Sequence, residues 1–236
     1  SSMNHKFTFG QGKTENFDEH IKKSIRGYDN LLQDVVNLSQ YFVDQHTTVV
    51  DIGCSTGKLL QEIIAKNSID CDYVGVEIEK SFSDALIKTR KQVTKARPST
   101  CLEFTEGDIR DYEFENCSLI TSLFTLQFLP VKNRAEIIKK IYKGLNKGGC
   151  FIFAEKIVCN DARFQEMLTF NYYDYKSVHF TADEILDKEK KLRSMLKPNT
   201  WEEINQMLKD AGFQMIQPFW MNHMFVGGVA IKEAND

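Results

Sequence analysis

The chain of 236 residues is long enough for one large domain, or one domain with a small appendage, and too short for a multidomain assembly. Hydrophobic residues at 42% and charged residues at 27% suit a soluble globular chain with a sizeable core. Lys+Arg at 30 against Asp+Glu at 33 gives a net charge of −3, which argues against the broad basic field behind tight nucleic-acid binding. No apolar run reaches the ~18–20 residues of a membrane span, and the opening Ser1-Ser2-Met3-Asn4-His5-Lys6 has no apolar signal stretch. The expected location is therefore cytoplasmic. Six cysteines, scattered without a C-x-x-C pair or a His at zinc-finger spacing, predict reduced thiols and no metal site.

In chain order, residues 1–16 are expected to be a flexible start. Over 17–42 the apolar residues Ile21, Ile25, Leu31, Leu32, Val35, Leu38 and Phe42 recur at three- and four-residue steps, which predicts one or two amphipathic helices. Short β-branched or aromatic runs follow at 47–52, 72–77, 102–106, 119–123 and 150–155. Helical patterns alternate with them at 58–66, 80–95 and 134–145, the last with Gly148-Gly149 as its stop signal. That alternation predicts a parallel sheet wrapped by helices on both faces.

Residues 161–197 hold two charge-rich helical stretches studded with aromatics, read as a helical insertion over the carboxyl edge of the sheet. A helix over 200–211 is capped by Thr200 and ended by Gly212. Two last apolar runs, 213–221 and 224–231, flank Asn222-His223 as a closing hairpin. The organisation expected is one domain over 17–236, with helical cap segments 17–45 and 161–197.

The chemistry gathers after the first three strands. Val49-Val50-Asp51-Ile52-Gly53-Cys54-Ser55-Thr56-Gly57 is a Gly-containing strand-to-helix turn, where an open α/β sheet binds ligands. It is neither the dinucleotide fingerprint, whose glycine places hold Gly53, Ser55 and Lys58, nor a P-loop, since Gly57-Lys58 runs into Leu59. Glu77 ends the second strand, where a carboxylate can accept both hydroxyls of a ribose diol. Glu106-Gly107-Asp108-Ile109-Arg110 follows the third, with Asp108 placed for an adenine amino group and Ile109 for its ring. A ribose acid and an adenine acid without a phosphate cradle point to S-adenosylmethionine.

On these residues the sequence resembles the class I S-adenosylmethionine-dependent methyltransferases over about 45–231. The resemblance implies a Rossmann-like α/β fold: a mostly parallel seven-stranded sheet with an antiparallel seventh strand, N-terminal helices and a helical insertion after the fifth strand. Further stretches narrow it: Gly27-Tyr28, Phe124-Thr125-Leu126-Gln127-Phe128-Leu129, Ile141-Tyr142-Lys143-Gly144-Leu145-Asn146-Lys147-Gly148-Gly149, Glu155-Lys156 and Arg193-Ser194-Met195-Leu196. They resemble the carboxy-S-adenosylmethionine synthases. That resemblance implies an enzyme, commonly a homodimer, that makes carboxy-S-adenosylmethionine from S-adenosylmethionine and prephenate. A partner enzyme consumes the product when it modifies the wobble uridine of tRNA.

Carried onto this chain, the resemblance has Tyr28 closing over the ligand, with Gly53, Cys54 and Ser55 along its methionine and ribose side. Asp51, Gly57 and Leu123 join the cofactor set, and Glu77 stands where the family has Asp. Arg193 falls on the arginine that pairs with the extra carboxylate and is the one catalytic assignment; a guanidinium grips a carboxylate through two parallel hydrogen bonds. The chain departs from the family at Ile78 and Leu123, where Asn is usual, and at Arg26, where Pro is usual. Two alternatives stay open on sequence: a methyltransferase acting on a small molecule or RNA, and a non-catalytic S-adenosylmethionine-binding protein. The five histidines fall into no metal-like or Ser-His-Asp grouping, and the aromatics Phe170, Tyr172, Tyr173 and Tyr175 suit either an acceptor pocket or core packing.

Overall fold

A computed structural model describes residues 16–234, so all but the last residue of the expected flexible start lies outside the described residues. Helices α1 (Phe17–Ser24) and α2 (Tyr28–Ser39) lead into β1 (Thr48–Ile52), α3 (Lys58–Lys66), β2 (Asp72–Glu77), α4 (Ser83–Ala96), β3 (Cys101–Glu106) and β4 (Cys117–Leu123). Then come α5 (Val131–Gly144), β5 (Leu145–Lys156), α6 (Ala162–Lys176), α7 (Ala182–Arg193), α8 (Trp201–Ala211), β6 (Met215–Asn222) and β7 (Phe225–Ile231). Single 3₁₀ turns stand before α4, after β3 and after β4.

The seven strands form one sheet in the order β3-β2-β1-β4-β5-β7-β6. The first five run parallel, and β7 is antiparallel to both neighbours. The central strands read as continuous apolar runs because both faces of a parallel sheet are covered. Successive side chains go to opposite sides: Val50, Ile52, Ile120, Phe151 and Phe153 pack against α5 and α8, while Val49, Leu119 and Ile152 pack against α2 and α3. The strand order reverses between β1 and β4, so the loops after these strands splay apart and leave a crevice at their carboxyl ends.

The local signals act as expected at the last helices. Thr200 and Glu203 close a reciprocal capping box on α8, Thr200 N donating to Glu203 Oε1 at 2.8 Å and Glu203 N to Thr200 Oγ1 at 3.1 Å. The expected stop at Gly148-Gly149 is corrected. Helix α5 ends at Gly144 and the chain is already in β5 at Leu145, which pairs with Cys117. Gly144 lies flush on Phe114, where an added Cβ would come within 2.3 Å of the Phe114 Cβ. Tertiary contact therefore sets this boundary, and the glycine pair lies inside the strand. Helix 80–95 likewise opens with a 3₁₀ turn, Lys80–Phe82, before α4. Among the described residues, no helix is long and apolar enough to cross a membrane.

Candidate functional site

The turn after β1 is built around residues in left-handed conformations: Gly53 at φ 69°, Ser55 at 54° and Gly57 at 81°. Gly53 is required twice over, since a Cβ there would be strained and would meet Thr125 Oγ1 at 2.2 Å. Gly53 N and Cys54 N both donate to the Val76 carbonyl, at 2.8 and 3.1 Å, lacing this turn to the end of β2. Glu77 completes the lacing. Its Oε1 accepts from Ser55 N at 2.8 Å, its Oε2 from Glu79 N at 3.0 Å, and its own carbonyl accepts from Gly107 N at 3.0 Å. One buried carboxylate thus ties the first two turns together, with the third hung from its main chain.

Burial pushes the Glu77 carboxyl up, opposed by the Glu79, Ser55 and Ile78 amides that stabilise its charge. Asp51, one strand in, is pushed up to about 7 by burial, with a 2.7 Å hydrogen bond from Thr121 opposing and the Glu77 charge adding.

Over this floor opens a cavity of about 210 Å³. Gly53, Ser55, Glu77, Gly107 and Ile109 form its base; Leu123 at the end of β4, with Phe124 and Gln127 just after it, forms a side. Its roof is the predicted insertion, through Tyr172 and Lys176 of α6 and Lys188, Glu189 and Leu192 of α7. The walls fit an adenosyl sulfonium. The carboxylate at the end of β2 suits a diol, the apolar Val76, Ile78 and Ile109 suit an adenine, and the space beside Gly107 is open, since a Cβ there would meet nothing within 4 Å.

The other expected residues distribute around this space. Tyr28, Asp51 and Cys54 line a small adjoining cavity of about 40 Å³ that shares Gly53, Ser55 and Leu123 with the main one. Gly57 stands behind the turn as the cap of α3, against Phe104 and Thr89. The carboxylate of Asp108 is turned to Arg110, accepting from its backbone N at 2.9 Å and its Nε at 3.0 Å, and Gly107 and Ile109 present the wall instead. Arg193, at the end of α7, lies 3.3 Å from Glu189 and faces a second side cavity of about 60 Å³, which shares Lys156, Tyr172, Glu189 and Phe225 with the main one.

Sequence reasoning gave no role to Gln127, Lys156, Lys176 or Glu189. The first two carried a usable signal, being at or near the carboxyl ends of central strands; the last two read as ordinary charges on a solvated helix. A buried network sets Gln127 and Lys156 in place. Gln127 N donates to Glu155 Oε2 at 3.3 Å, and Lys156 N donates to Gln127 Oε1 at 2.7 Å. Buried Arg134 donates to the carbonyls of Gln127, Leu129 and Lys197 at 2.7, 2.9 and 2.6 Å, tying this side of the cavity to the segment after Arg193.

Residues 50–151 match a family model described as a methyltransferase domain. A carboxy-S-adenosyl-L-methionine synthase of Staphylococcus epidermidis is 34% identical over 228 residues, 96% of this chain and 97% of that protein. The chain belongs to the carboxy-S-adenosyl-L-methionine synthase family. A synthase of the same name from Shewanella oneidensis is 34% identical over 218 residues, 92% of this chain and 88% of its own. Among solved structures, human N-acetylserotonin methyltransferase in complex with SAM superposes with a TM-score of 0.60 at 17% identity, over 95% of this chain and 57% of that one. A putative O-methyltransferase of Nostoc punctiforme gives 0.63 at 18%, over 94% and 60%. These structural likenesses show the class I methyltransferase fold. Family membership makes the chain a transferase that uses S-adenosylmethionine.

Proposed function

We propose that this enzyme converts S-adenosylmethionine and prephenate to carboxy-S-adenosylmethionine and phenylpyruvate. Prephenate loses carbon dioxide and hydroxide as its ring becomes aromatic, the hydroxide leaves as water with a proton from the sulfonium methyl, and the resulting carbanion captures the carbon dioxide. Atoms and charge balance without an oxidant. The protein's part is to position the two substrates and exclude bulk water. Glu77 would hold the ribose diol and Ile109 the adenine, Gly53, Cys54, Ser55, Asp51, Tyr28 and Leu123 would line the rest of the cofactor site, Gly57 would shape its turn from behind, and Asp108 would reach the adenine amino group only by releasing Arg110.

The observation that carries this reading over plain methyl transfer is Arg193, one wall away from the main cavity and bonded to Glu189, which lines both spaces. A guanidinium so placed reaches a new carboxylate on the cofactor by exchanging its Glu189 contact for it. Incubating the enzyme with both substrates and looking by mass spectrometry for carboxylated cofactor and phenylpyruvate is the test. Arg193→Ala should abolish the carboxylated product and largely spare S-adenosylhomocysteine binding, and Arg193→Lys should restore it only in part. A folded wild type yielding neither product would favour methyl transfer to an apolar small molecule, the reading that Ile78 and Leu123 in the cavity wall support.

The same reading takes 17–236 as one functional unit, a two-fold homodimer in the cytoplasm that does not bind tRNA tightly itself and supplies its product to a wobble-uridine-modifying enzyme. Light scattering near twice 27.3 kDa would support the dimer.

A further inference from the structure

Lys156 and Lys176 both line the main cavity, where the cationic sulfonium of the cofactor gives neither ammonium a partner. Lys156 ends the central strand β5, its backbone pinned by Gln127. Lys176 is the last residue of α6 and only 2% exposed, its Nζ 5.5 Å from the Tyr172 ring centroid and 5.1 Å from that of Phe180. Among the described residues no carboxylate stands within ion-pair distance of either ammonium. The carboxylate whose charge acts on both is Glu189, which already holds Arg193 at 3.3 Å. On the roof side, one carboxylate therefore serves three cations.

Burial is the main influence on both lysines and lowers their pKa. Glu189 opposes it in each case, Arg193 adds to the lowering at Lys156, and Lys156 adds to it at Lys176. A buried positive charge left this way is costly unless an anion joins it. Both lysines also belong to a network with fixed positions: Arg134, Glu155 and Gln127 hold the end of β5, and Tyr172, hydrogen-bonded through its Oη to the Ser24 carbonyl at 2.6 Å, holds α6.

We propose that Lys156 and Lys176 form the docking site for the second substrate, an organic dicarboxylate, with one carboxylate held between them beside Glu189. The proposal rests on the synthase reading and deepens it: Arg193 is kept for the cofactor's new carboxylate, and these two lysines hold the carbon-dioxide donor over the sulfonium. They are positioning residues. They also repel a cationic acceptor, so the cavity favours an anionic second substrate over a cationic one.

The test is calorimetric titration of prephenate into full-length protein saturated with S-adenosylhomocysteine, for wild type, Lys156→Met and Lys176→Met, with thermal melts to verify folding. Each methionine variant should weaken prephenate binding at least about tenfold, with S-adenosylhomocysteine affinity changed by less than about twofold. Lys156→Arg, which keeps the charge, should recover part of the loss. Methionine variants that bind prephenate as wild type does would overturn the site and leave the synthase reading standing, as judged by carboxylated product from wild type. Equal losses in Lys156→Met and Lys156→Arg would also overturn it, in favour of a packing role. A wild type that neither binds prephenate nor yields carboxylated product would overturn both.

Discussion

On the floor of the cavity, the Gly53 turn, Glu77 and Gly107 are laced together through main-chain amides and carbonyls. The Val76 carbonyl receives two amides of the Gly53 turn, Glu77 receives two more, and Gly107 hangs from the Glu77 carbonyl. The roof is held by side chains instead. Tyr172 and Tyr175 of α6 donate through their hydroxyls to the Ser24 and Lys22 carbonyls of α1, at 2.6 and 3.0 Å, and the rings of Tyr172 and Phe225 meet edge to face at 5.5 Å. Main-chain lacing leaves the floor little freedom, which suits the part of the site that must present the same atoms to every cofactor molecule. A roof held by side-chain contacts is expected to open at lower cost than a floor laced by main-chain bonds, a difference that amide exchange would read. That suits substrate entry and product exit.

The sharpest way to break this contrast is Gly53→Ala. A left-handed alanine and a Cβ pressed on Thr125 should together cost about 3 kcal/mol of folding stability, read as a lower urea midpoint, with loss of S-adenosylhomocysteine binding. An alanine variant of unchanged stability would mean that the floor is more pliant than its hydrogen bonds imply.

Glu77→Ala strips the acceptors from Ser55 N and Glu79 N and, on the proposed reading, from the ribose diol, and should weaken S-adenosylhomocysteine binding by about 1–3 kcal/mol in calorimetry. Glu77→Asp, the family's usual residue, should lose less.

Between floor and roof, burial pushes Glu155 up to about 8 against the pull of Arg134, and Asp51 up to about 7. Both carboxyls keep a proton in the folded chain at pH values where the unfolded chain has lost it. Their stabilising contribution is present in full below the unfolded pKa and lost as pH rises through the folded one. The urea midpoint of the wild type should therefore fall between about pH 5.5 and about pH 8.5, and Glu155→Gln or Asp51→Asn should each flatten that fall. A midpoint rising over this range would contradict the burial of both groups.

The smallest effect belongs to the roof. Tyr172→Phe leaves the Ser24 carbonyl without its hydroxyl partner and should cost about 1 kcal/mol in urea unfolding, with faster amide exchange confined to α1 and α6. Exchange spread over the strands would show that roof and floor unfold together.

What sequence alone determined follows from local chemistry. The alternation of strand and helix, the Thr200 cap, the Gly53 turn and Glu77 at a strand end are all decided within a few residues of the chain, by side-chain period, capping and allowed backbone angles. The family motifs extended that reading to the insertion and to Arg193. Tertiary structure decided the rest. Gly144 closes α5 because Phe114 lies against it, and β5 begins at Leu145 because Cys117 pairs with it. Asp108 bonds to Arg110, leaving that wall to its neighbours. Lys176 and Glu189 look like two charges on solvated helices until α6 and α7 fold over the sheet and take them out of water. Burial is a property of the whole packed molecule, and no window of sequence contains it.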